Sequence, residues 1–69
     1  MNVKFEVKTT AFISKPVTKL TLKEGNGIVT FVTTGNPTEA MAEFISKARA
    51  GVCYELLEVE FNKPQGVND

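Results

Sequence analysis

The chain has 69 residues, eight basic against eight acidic, and no histidine. That length allows one domain with a marginal core, since a chain of about 60 residues buries only about 60% of the surface it exposes unfolded. One cysteine, Cys53, excludes an intramolecular disulfide. With no histidine it also excludes a Cys/His zinc site within one chain. The cancelled charge gives no global field towards nucleic acid or an anionic membrane. No apolar run approaches the ~18 residues of a membrane span.

The hydrophobic content of 42% is enough for a folded core. The N-terminus lacks the apolar stretch of a signal peptide, and the cysteine is unpaired; both suit a reducing cytoplasm. Residues 1–61 read as one domain. The polar stretch 62–69, with Pro64 and Gly66, reads as a flexible C-terminal tail.

Val3, Phe5 and Val7 alternate with Lys4, Glu6 and Lys8, the period of a half-buried strand, which extends through Ala11 and Ile13 if the period holds. Ser14-Lys15-Pro16 breaks it. Val17 to Lys23 forms a second strand with Leu20 and Leu22 on one face. Gly25-Asn26-Gly27 is a hairpin turn, and Ile28 to Thr34 returns as a third strand. A two-residue loop places Val29 and Phe31 beside Leu20 and Leu22. A three-residue loop with a bulge places Ile28 and Val32 there instead.

Asn36-Pro37-Thr38-Glu39 has the form of a helix start: a cap, proline at the first helical position and a glutamate close to a capping box. Ala40, Met41, Phe44, Ile45 and Ala48 form an apolar stripe, and Glu43 with Lys47 an i,i+4 pair. Gly51 is a natural stop, giving a helix of about 14 residues and about 21 Å. Val52 to Phe61 is the last strand. Its parity is blurred at Tyr54 and Leu56, and a bulge near Leu56-Leu57 resets it.

The expected fold is α+β, a four-stranded, mostly antiparallel sheet in the order β-β-β-α-β with one helix on one face. The first three strands form a meander. Residues 1–23 hold five lysines against Glu6 alone, whereas residues 24–69 hold seven acids against three bases. Glu58 and Glu60 opposite Lys4 and Lys8 would pair well, which favours the last strand beside the first.

No residue set points to catalysis. The commonest general base is missing, and Cys53 has no activating histidine. No cofactor or metal is expected. The three acids Glu55, Glu58 and Glu60 read as a solvated edge or as ion-pair partners. Asn26 leads into a strand rather than a helix, so its glycines form a hairpin and not a phosphate loop.

The expected activity is therefore protein binding, as an inhibitor or adaptor or as a homodimer. Such small neutral chains are common among phage and plasmid accessory proteins. The sheet has more apolar residues than one helix can cover. Phe12, Ile28, Val32, Tyr54 and Leu56 are the expected partner-binding surface on the face away from the helix. The alternative is a nucleic-acid-binding module using Lys4, Lys8, Lys19 and Lys23. It lacks the interleaved aromatics of a single-strand binder, and the pI of 6.2 is below the basic range.

Overall fold

The structure, a computed structural model, describes residues 2–65. Four strands and one helix follow in the order β1 (Lys4–Thr10), β2 (Val17–Glu24), β3 (Gly27–Thr34), α1 (Pro37–Lys47) and β4 (Tyr54–Pro64). They form the expected α+β arrangement. Two of the sheet's pairings are antiparallel, β2 with β3 and β2 with β4, and one, β1 with β4, is parallel.

The β2–β3 hairpin closes with Glu24 opposite Gly27, so its loop is Gly25-Asn26. Gly25 takes φ +56° and, among the described residues, no non-glycine residue has positive φ, the pattern of a type II′ turn. This register puts Leu20 opposite Phe31 and Leu22 opposite Val29. It turns Ile28 and Val32 to the other face.

The helix starts as its sequence dictates. The Asn36 side chain accepts a hydrogen bond from the Glu39 N–H, and the Glu39 carboxylate accepts one from the Asn36 N–H, both at 2.9 Å. It ends earlier than expected. Ala48 leaves helical geometry at ψ 145° and its N–H donates to Ile45. The next residue, Arg49, donates its N–H to the Tyr54 hydroxyl at 3.3 Å. A tertiary bond thus stops the helix before Gly51, whose φ of +80° serves the following turn.

Two expectations about the strands need correcting. The sheet order is β1-β4-β2-β3, so the meander does not include β1. β4 inserts between β1 and β2, and the segment 11–16 carries the chain over its end. Strand β1 itself stops at Thr10, where the Phe12 N–H folds back onto the Thr10 hydroxyl.

Nor is 62–69 a tail from its first residue. Strand β4 continues through Pro64 because β1 offers a parallel partner, Thr9 to Lys63 and Thr10 to Pro64. The Gln65 N–H still bonds to Thr10. Residues 66–69 lie outside the described residues.

Leu20, Leu22, Val59 and Ala40 are buried, with Val29, Phe31, Met41, Phe44, Tyr54 and Leu56 packed around them. Phe44 meets Phe31 and Tyr54 edge-on, with ring centroids at 5.6 and 5.0 Å. Thr18, fully buried, donates its hydroxyl to Gly35 at 2.8 Å. Across the β2–β4 pair, Thr21 faces Glu58 but Leu22 faces Leu56, so Leu57 is the extra residue of a bulge. That bulge resets the parity of β4 as its sequence suggested.

Candidate interaction surface

The bulge decides which side Tyr54 and Leu56 take. They join the buried face beneath α1 and are not on the far face, correcting the expected surface. Tyr54 is further held by its hydroxyl, which donates to Glu24 at 2.7 Å. Ile28 and Val32 do face away from the helix and are 62% and 58% exposed. Phe12 is exposed in the turn after β1, at the opposite edge of the sheet from β3. The five residues therefore do not form one patch.

The exposed apolar surface lies on the helix side instead. Phe5 pairs with Val59 and Val7 with Phe61, so both share the face that α1 covers. The helix lies mainly over β2 and β3, and Phe44 reaches Tyr54 at the start of β4. Helices are about 10 Å wide and strands about 4.8 Å apart, so one helix covers about two strands. With β4 inserted, β1 is one strand too far away. Val3, Phe5 and Val7 are left 44%, 58% and 53% exposed, although their alternation reads as core.

The helix adds a wall to this floor. Glu43 accepts a hydrogen bond from Thr33 on β3, and Lys47 lies 5.9 Å from the Phe31 ring centroid, so this flank faces the β3 edge. Ile45 is two residues from Glu43, about 200° round the helix, and faces the β4 side. It is exposed although the apolar stripe includes it. Met41 is on the same flank. A groove results, floored by Phe5, Val7 and half-buried Phe61 and walled by Met41 and Ile45. At the helix N-terminal end a separate hollow of about 400 Å³ lies over Phe61, lined also by Pro16, Asn36, Glu39 and Pro64.

The other face of the sheet is charged. Lys4, Lys8, Lys19 and Lys23 do share it, but β4 runs between the two lysine-bearing strands. Lys4 faces Glu58, Lys19 faces Glu60 and Lys23 faces Glu55. Lys8 reaches Glu60 at 3.5 Å. With Glu6, four acids match four lysines on one face, leaving no positive stripe to follow a phosphate backbone.

Glu6, Glu58 and Glu60 bring their carboxylates within 4.8 Å of one another. Glu6 faces Glu60 directly. A hydrogen bond from Asn62 holds the Glu60 carboxyl below the usual range, and the Lys8 charge adds to this against the effect of burial. These acids are matched by lysines around them, and the cluster alone does not indicate a metal. Cys53 is exposed, at the foot of β4. Among the described residues no helix is long and apolar enough to cross a membrane.

No protein-family profile, curated protein or solved structure matches this chain.

Proposed function

We propose that this chain is a non-enzymatic protein-binding module, acting as an inhibitor or adaptor, that takes an amphipathic helix of another protein into the groove between α1 and β1. The observation that carries this reading is the exposure of Phe5 and Val7 on the helix-side face and of Ile45 on the flank of α1 turned that way, 58%, 53% and 67%. Clustered large apolar residues on one face of a small domain mark an interaction site. The uncovered floor is β1 with the Phe61 end of β4, and α1 forms its wall, a setting in which a second helix could pack alongside α1 at about 8–10 Å. The want of histidine and of an activated thiol supports a binding role over a catalytic one.

A displayed peptide library selected against the protein tests this, with counter-selection on a Phe5→Lys/Ile45→Glu variant. Amphipathic helical sequences that bind the wild type and not the variant are expected. Recovery of no such sequences, with the variant shown to be folded, removes the reading.

A further inference from the structure

We propose that a second copy of this chain pairs antiparallel along the outer edge of β1, centred on Phe5, joining two sheets into one. Strand β1 is the end strand of the sheet, and within Lys4–Thr10 it has neither a proline nor a bulge. Such an edge presents unpaired N–H and C=O groups to any matching strand. Lysines on an edge ordinarily deter pairing. Here Glu6 stands between Lys4 and Lys8, so the pattern complements itself when reversed.

The register follows from charge. About an axis through Phe5, Lys4 faces the partner's Glu6 and Glu6 faces the partner's Lys4. On the other side of the strand Val3 meets the partner's Val7, and Phe5 meets the partner's Phe5. Every contact occurs twice except that of the two Phe5 residues, which lies on the axis, as a symmetric dimer requires. Centring on Glu6 would instead set like charges opposite each other, a destabilising arrangement.

In the isolated chain Lys4 stands opposite Glu58 without closing an ion pair, and Glu6 stands opposite another acid, Glu60. Among the described residues neither Lys4 nor Glu6 has an ion-pair partner. Glu6 is crowded by Glu58 and Glu60. The partner's Lys4 would arrive beside that crowded carboxylate. The other edge strand, β3, has no charged residue with which to fix a register.

An axis perpendicular to the sheet keeps both helices on one side. The two grooves then merge into a trough floored by β4, β1 and their mates. The pairing uses the strand's edge, and it stands whether or not the groove takes a helix.

Sedimentation equilibrium across a concentration series tests it with a charge-swap cycle, each variant first checked for an unchanged circular dichroism spectrum. The wild type is expected to dimerise. Lys4→Glu and Glu6→Lys are each expected to weaken the dimer roughly tenfold, because each sets like charges together at two symmetric places. The double variant Lys4→Glu/Glu6→Lys restores both pairs and should regain most of the loss. In a register centred on Val7, Lys4 faces the partner's Thr10 and Glu6 faces the partner's Lys8. There Lys4→Glu would change little, and the double variant would set two positive charges opposite each other and regain nothing. That pattern, or a wild type that stays monomeric at the highest concentrations, overturns the proposal. A monomer that still binds selected helical peptides would sink the dimer alone. A dimer that selects none would sink the groove alone.

Discussion

The Tyr54 hydroxyl donates to Glu24 across 2.7 Å and accepts the Arg49 N–H at 3.3 Å. One phenol therefore ties the start of β4 to the end of β2 and to the chain leaving the helix. Its ring closes the core edge-on against Phe44. Tyr54→Phe keeps the ring and removes both bonds. It should cost about 1–2 kcal/mol, the worth of a hydrogen bond to a charged partner, read as a lower urea midpoint. Val32→Lys on the far face should shift the midpoint by no more than about 0.5 kcal/mol, since Val32 is 58% exposed. Equal losses in the two variants would mean that the faces are assigned wrongly.

At the helix start, Asn36→Ala removes one half of the capping box and should cost about 1 kcal/mol. Gly35→Ala should cost at least as much by a different route. Gly35 has φ +127°, and a Cβ there would come within 2.8 Å of the Glu39 oxygen that completes the cap. A combined variant should lose less than the sum, because both disturb one arrangement. Additive urea midpoints would contradict this.

Acid should weaken the protein partly through Glu43. The Thr33 hydroxyl, and then Lys47, hold its carboxyl below its ordinary value of 4.5 despite some burial. A carboxylate depressed in the folded state stabilises fully above its unfolded pKa, and that contribution is lost as pH falls through the lower, folded value. Denaturation midpoints followed downward from pH about 6 should therefore fall less steeply in Glu43→Gln than in the wild type. Parallel curves would deny Glu43 a part.

Cys53 is exposed, and its carbonyl, not its thiol, takes the Gly25 N–H, at 3.4 Å. Cys53→Ser should leave both the urea midpoint and peptide binding unchanged. Loss of binding in a folded Cys53→Ser protein would assign the thiol a role.

The local devices are legible in the chain because each depends on neighbours in sequence. Gly25-Asn26 needs positive φ within a two-residue loop, and Asn36 needs a glutamate three residues on. The bulge could be read from the change of parity at Leu56-Leu57, and that same bulge turns Tyr54 and Leu56 to the side of Val59 and Phe61, beneath the helix. The charge imbalance between the chain's two ends pointed to β4 beside β1. Its insertion between β1 and β2 was not legible, because Val3, Phe5 and Val7 alternate in the same way whether or not a helix lies above them. That one displacement turned residues read as core into the candidate surface.

The placing of β4 also orders events in time. Lys4 meets Glu58 across 54 positions of sequence (58 − 4), whereas β2 and β3 meet across a two-residue loop. Closing the short loop costs far less chain entropy, so the β2–β3 hairpin with α1 can form before β4 arrives. Strand β1 has nothing to join until β4 is in place, and it is held on one side only. On a ribosome this strand is made before the other three and docks last. In the monomer its amide hydrogens should be the first of the four strands' to exchange with solvent.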